Sequence, residues 1–199
     1  MTRVTIFDYG AGNLHSLAKS LSGDGVSLCV RTDPLAALDT DVLVLPGVGN
    51  FAQAAERLAP ARGAMRDAIR RGLPTLGVCL GMQLLFESST EGAGSGLGVI
   101  AGRVTRVAAA RVPHIGWNSI EEPCDPLFRA APLGRAYFAN GFACRPKSDA
   151  SVIAWTAHER DRFPAAVRAG RTVGVQFHPE KSSAAGVAFV RAFLAEAAP

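Results

Sequence analysis

Short apolar runs along the chain alternate with stretches whose apolar positions recur every three or four residues. Residues 4–7, 26–30, 42–45 and 75–78 have the composition of strands. Helical spacing is expected over 14–22, over 51–71 with a break near Pro60, and over 80–86. Such alternation predicts a mostly parallel sheet covered by helices on both faces. Segment 87–96 is polar and glycine-rich and reads as a loop able to move. Beyond Leu97 the texture turns β-rich, with strands expected at 99–107, 114–120, 136–138, 152–156, 165–168 and 173–177 before a last helix over 184–195. No repeat or linker interrupts residues 1–199. The expected fold is α/β, a single domain with a mostly parallel sheet flanked by helices and an additional β-rich C-terminal half.

Composition narrows the function classes. Of 199 residues, 48% are hydrophobic and 19% charged, the balance of a globular chain rather than a disordered one. The net charge of +4 is modest, and Arg57, Arg62, Arg66, Arg70 and Arg71 on one helical stretch read as a solvated face. Without aromatic or glycine-rich companions they do not form a nucleic-acid patch. No apolar stretch approaches the ~18 residues that cross a bilayer. The opening Met1-Thr2-Arg3 runs directly into a strand, so no leader is expected. Cys29, Cys79, Cys124 and Cys144 contain no C-x-x-C pair and suggest neither zinc nor a disulfide framework. A cytoplasmic chain with reduced thiols follows as an expectation.

Turn chemistry comes next. Asp8-Tyr9-Gly10-Ala11-Gly12-Asn13 follows the first strand, and Asn13 is placed to cap the helix behind it. This turn lacks the third glycine of a dinucleotide site, and no Walker-type phosphate loop occurs, so no cofactor is expected. Gly77-Val78-Cys79-Leu80-Gly81, between strand and helix, has the small residues that a nucleophile elbow needs on either side of its reactive group. Backbone N–H groups at the following helix start would favour a thiolate and then an oxyanion. The competing reading is a buried structural cysteine. His178 ends the strand at 173–177, and at strand spacing Glu180 would share its face and orient the imidazole. Pro46-Gly47-Val48-Gly49 ends the third strand on the same sheet edge and serves either as an oxyanion loop or as a plain tight turn. His15, His114 and His158 are assigned structural or surface roles.

These residues resemble a known family. Gly77-Val78-Cys79-Leu80-Gly81-Met82-Gln83-Leu84-Leu85 and Gln176-Phe177-His178-Pro179-Glu180 resemble the class I (triad) glutamine amidotransferases. Asp8-Tyr9-Gly10-Ala11-Gly12-Asn13-Leu14, Pro46-Gly47-Val48-Gly49-Asn50-Phe51, Pro113-His114-Ile115-Gly116-Trp117-Asn118 and Lys181-Ser182 resemble one branch of it, the glutaminase subunits of imidazole glycerol phosphate synthases in histidine biosynthesis. The resemblance runs from about residue 4 to 194. It implies Cys79 as nucleophile, His178 as base and acid, and Glu180 as orienting carboxylate. It implies an oxyanion hole from Gly47, Val48 and Leu80. Gly49, Gln83 and Glu91 would bind glutamine, with Gln83 and Glu91 at its α-amino and carboxylate end. It further implies a separate (β/α)8-barrel cyclase subunit as partner, receiving ammonia through a channel and met by Asn13, Trp117, Asn118 and Lys181. Two segments depart from the family pattern. Tyr137-Phe138-Ala139-Asn140-Gly141-Phe142 stands where Tyr-Phe-x-His-Ser-Tyr is usual, and 157–163 lacks the usual tyrosine-glycine and carries a charged run. A divergent glutaminase serving another synthase, a peptidase or glyoxalase-like relative with the same elbow, and a non-catalytic binding subunit are the alternatives.

Overall fold

The computed structural model describes residues 1–10 and 14–198. Its first half runs β1 (Thr2–Phe7), α1 (His15–Leu21), β2 (Val26–Arg31), β3 (Val42–Leu45), α2 (Phe51–Leu58), α3 (Arg62–Arg70), β4 (Thr75–Val78) and α4 (Leu80–Leu84). The second half adds β5 (Ser88–Ser89), β6 (Gly102–Arg106), β7 (His114–Ser119), α5 (Pro126–Ala130), β8 (Arg135–Asn140), β9 (Phe142–Pro146), β10 (Val152–His158), β11 (Asp161–Ala169), β12 (Thr172–Val175) and α6 (Ser183–Ala197). Among the described residues a seven-stranded sheet has the order β10-β11-β12-β4-β3-β1-β2. Its last five strands pair in parallel, and β10 and β11 extend it antiparallel. The fold is thus the expected single-domain α/β arrangement with a mostly parallel sheet.

The middle strands explain why helices cover both faces. β3, β4 and β12 read VLVL, TLGV and TVGV and are buried at every position. Alternation then splits them between two cores: Val42 and Val44 join Phe177, Phe189 and Phe193 on one face, while Leu43 and Leu45 join Phe51, Leu58 and Met82 on the other. Phe189 of α6 packs tilted on Phe128 and edge-on to Phe177, with ring centroids 5.1 and 5.7 Å apart. Pro60 lies in a 3₁₀ turn, Ala59–Ala61, which separates α2 from α3 at the expected break. No helix among the described residues is long and apolar enough to cross a membrane.

Several expected boundaries are corrected. α4 stops at Leu84 because Leu85 and Phe86 donate three residues back, to Met82 and Gln83, which tightens the chain out of the α-helix. The strand expected over 99–107 covers only Gly102–Arg106, where it pairs with β9. Ser88–Ser89, inside the supposed loop, pairs with β6. β12 ends at Val175, so His178 lies beyond the strand. The charged run in 157–163 is mostly strand, since His158 ends β10 and Asp161 starts β11. The β-rich half is not one layer: β5-β6-β9 and β7-β8 form two small sheets, while β10 to β12 belong to the main one. The cap expected from Asn13 lies outside the described residues.

Candidate active site

β4 delivers Cys79 to the carboxyl edge of the sheet, where open parallel sheets bind their ligands. Cys79 has φ 47° and ψ −102°, a backbone state that L side chains rarely adopt. Two bonds hold it there. Its N–H donates to the Val175 carbonyl of the adjacent β12 at 2.7 Å, and its carbonyl accepts from the Gln83 N–H at 3.1 Å. The flanking glycines are sterically required. A methyl group at Gly77 would lie 2.7 Å from the Gly81 backbone, and one at Gly81 would collide with the Leu45 carbonyl. Gly47 is confined less severely, since its methyl would sit 3.1 Å from the Cys79 Cβ.

Because β12 runs parallel to β4 with Val175 opposite Val78, residues after β12 emerge beside Cys79. His178 is 2% exposed there and lines the same cavity as Cys79. Its Nδ1 lies 2.8 Å from Glu180 Oε1. The pair does not share a strand face as expected. Pro179 starts a 3₁₀ turn, Pro179–Lys181, and that turn folds Glu180 back under the ring. The His178 backbone is fixed twice more, its N–H on the Tyr137 carbonyl at 2.8 Å and its carbonyl accepting from Ser182 Oγ at 2.6 Å. Burial opposes charge on His178, but hydrogen bonds to Cys79 and Glu180 and their negative charges outweigh it, raising its pKa to about 10. The arrangement therefore holds a protonated imidazole against a thiol, the requirement for a thiolate nucleophile.

A cavity of about 240 Å³ opens over the thiol. Gly47, Val48, Gly49, Leu80, Gln83, Glu91, Asn140, His178 and Lys181 all reach its wall, so the expected oxyanion and glutamine-binding residues are brought together with Cys79. Gln83 donates to the Phe142 carbonyl at 3.3 Å, and Glu91 accepts from the Phe51 N–H at the start of α2 at 2.9 Å. Gln176 has no role in the sequence reading. It is fully buried, and its amide joins Cys79 Sγ and the Gln83 side chain, each at 3.5 Å. Its signal was the i−2 position from His178. A larger groove of about 670 Å³, lined by Thr2, Leu21, Val26 and Arg191, opens at the opposite sheet edge, with no cysteine or histidine among its described lining residues. Among the described residues no group of three or more His, Cys, Asp or Glu is placed to hold a metal ion.

The residues expected at a partner surface are placed unequally. Trp117 is 47% exposed and meets Tyr137 edge-on at 6.4 Å, and Lys181 Nζ lies 5.8 Å over the same ring. Asn118 instead turns its amide inward, donating to the Ala157 carbonyl at 2.6 Å and accepting from the Ser119 N–H at 2.8 Å. Asn13 lies outside the described residues. His114 stacks between Phe138 and His158, with ring centroids 5.3 and 4.2 Å away, and burial lowers its pKa to about 4.

The glutamine amidotransferase class-I family matches residues 5–197. The chain is 40% identical to the imidazole glycerol phosphate synthase subunit HisH of Pyrococcus furiosus, over 97% of this chain and 98% of that one. It is 43% identical to the subunit of the same name from Symbiobacterium thermophilum, over 94% and 91%. A solved glutamine amidotransferase superposes with a TM-score of 0.74 at 20% identity, covering 98% of each chain. PurLQS from Thermotoga maritima gives 0.71 at 20% identity, covering 98% of this chain and 99% of that one. With the family matched along nearly its whole length and the fold shared by these structures, the chain belongs to the class-I glutamine amidotransferases.

Proposed function

We propose that the chain is the glutaminase subunit of an imidazole glycerol phosphate synthase, hydrolysing glutamine and passing the ammonia to a separate cyclase chain. One observation carries the chemistry: buried His178, bonded to Glu180, shares with Cys79 the wall of a cavity that also holds Gln83 and Glu91. The Cys79 thiolate attacks the side-chain carbonyl carbon of glutamine. The oxyanion that forms is met by N–H groups from the Gly47-Val48 loop and Leu80. With Nδ1 engaged by Glu180, His178 Nε2 faces the reaction and protonates the leaving nitrogen, which departs as ammonia. The same nitrogen then takes a proton from water as the water cleaves the γ-glutamyl thioester, yielding glutamate and regenerating the thiolate. Gly49, Gln83 and Glu91 hold the amino-acid end of the substrate.

Kinship with the HisH subunits of several prokaryotes supports the pathway assignment, and a cytoplasmic heterodimer accompanies that reading. Exposed Ile115 and Trp117, with Lys181 beside Tyr137, form the surface that meets the cyclase. The test is glutamate release from glutamine, with and without a cognate cyclase and its ribotide ligand. Strong stimulation by the liganded cyclase is expected, and Cys79→Ala is expected to abolish release. Activity indifferent to the cyclase would reassign the partner. Glutamine-dependent activity surviving in Cys79→Ala would remove Cys79 from the chemistry.

A further inference from the structure

Gln176 directly follows β12 and is fully buried between Val175 and Phe177, which are fully buried too. Its backbone N–H donates to the Ala165 carbonyl of β11 at 2.8 Å, which fixes its place beside the sheet. An apolar side chain would fill such a position without the cost of desolvating an amide. The amide has two partners, Cys79 Sγ and the Gln83 side chain, each at 3.5 Å. Which end meets the sulfur is decided two bonds away. The Phe142 carbonyl only accepts, so the Gln83 atom 3.3 Å from it is the nitrogen. That same nitrogen lies 3.5 Å from Gln176, whose facing atom must be the oxygen. The end turned to Cys79 is therefore the NH2 group, a pure donor.

We propose that Gln176 is a catalytic residue that donates a hydrogen bond to Cys79 Sγ and so stabilises the thiolate over the thiol. The proposal deepens the glutaminase reading above and rests on it. A thiol sulfur is a weak acceptor, whereas hydrogen bonds to ionised groups are shorter and about twice as strong. The bond therefore tightens when Cys79 loses its proton. It tightens again when the C–S bond of the thioester breaks and the sulfur takes back the electron pair. Gln176 stands behind the cavity wall, so its amide acts on the sulfur and not on the substrate. Gln83 does line the cavity, and by holding the Gln176 oxygen it keeps the donor end on the thiol. The competing reading is a buried amide that only keeps the elbow in shape. Its loss would then change the reactivity of Cys79 equally at every pH.

The experiment is the pH dependence of Cys79 alkylation by iodoacetamide, which reacts with thiolate, in the full-length chain. Mass spectrometry of the digested protein follows Cys79, with exposed Cys124 as an internal reference. Gln176→Met fills similar space without a donor. On the rising limb of the profile it is expected to slow alkylation about tenfold, while the plateau at high pH stays within about twofold. Gln176→Glu keeps the oxygen that Gln83 holds but sets an acid beside the sulfur, and is expected to move the limb the same way. An unmoved limb in Gln176→Met, or equal slowing at every pH, would overturn the proposal. Should Gln176→Met fail to fold, an unmoved limb in Gln176→Glu overturns it instead. The assay uses no glutamine, so the two readings fail separately. A displaced limb in a chain that releases no glutamate would support the bond to sulfur and sink the glutaminase reading.

Discussion

Gly81 packs against the Leu45 carbonyl so closely that even one added methyl group would collide with the oxygen. Leu45 ends β3 and leads into the Pro46-Gly47-Val48-Gly49 loop, while Gly81 lies in the first turn of α4. The contact joins the elbow to the loop facing it. Gly81→Ala is expected to cost about 1–3 kcal/mol of folding stability through overpacking. Displacing the thiol from the loop is expected to lower glutamate release by roughly a hundredfold. Urea unfolding and a glutaminase assay check the two effects, and a variant with full activity would show that the elbow relaxes freely.

Cys79 supplies a second prediction, from its backbone rather than its sulfur. At φ 47° and ψ −102° the Cβ is a steric burden that glycine would not carry. Cys79→Gly is therefore expected to be more stable than Cys79→Ala, by about 1 kcal/mol, although both lack activity. The reverse order in chemical denaturation would mean that the elbow is unstrained.

The third concerns pH. The folded-state pKa of His178 is raised to about 10, above its ordinary value near 6.5. The stability this contributes is fully present below about pH 6.5 and declines as pH rises through 10. Glu180→Gln removes one of the two groups that raise it, so stability should fall less between pH 6 and pH 10 in that variant. Unfolding curves of both proteins across that window give the answer, and equal slopes would contradict it.

A fourth prediction lies away from the thiol. Asp125 caps α5 by accepting from the Leu127 N–H at 2.9 Å and takes two bonds from Arg168, at 2.7 and 2.9 Å. Arg168 also reaches Glu196 of α6 at 2.7 Å. Asp125→Ala leaves a mostly buried guanidinium half-paired and an uncapped helix, and should cost about 3 kcal/mol. Glutaminase activity below the melting point should be unchanged. A drop in kcat without a drop in melting temperature would count against a purely structural role.

The legible parts of the sequence were those dictated by local sterics and burial. β3 and β4 announce themselves as unbroken apolar runs, and the glycines around Cys79 announce the elbow because no other residue fits. The pairing of His178 with Glu180 was legible as well, though the expected route through strand spacing gave way to the turn at Pro179. What escaped detection depends on contacts distant along the chain. β9 contains Arg145 and Pro146 and has little strand character alone, yet it is held by pairing with β6 and by the bond of Arg145 to Asp161 at 2.5 Å. α5 is only five residues long, too short for periodicity to show, and is defined by the cap of Asp125. Gln176 matters because of Cys79 and Gln83, neighbours far away in sequence that spacing alone does not reveal.

The Cys79 N–H bond to Val175 fastens the elbow to the strand whose continuation carries the imidazole. The ~4.8 Å repeat between neighbouring strands thus sets the footing of the thiol. The base stands on a different footing, three residues past β12, where the Tyr137 carbonyl and Ser182 Oγ hold its backbone. Tyr137 belongs to β8, the strand that runs on into the cavity wall at 139–140, so the imidazole and that wall share one mooring.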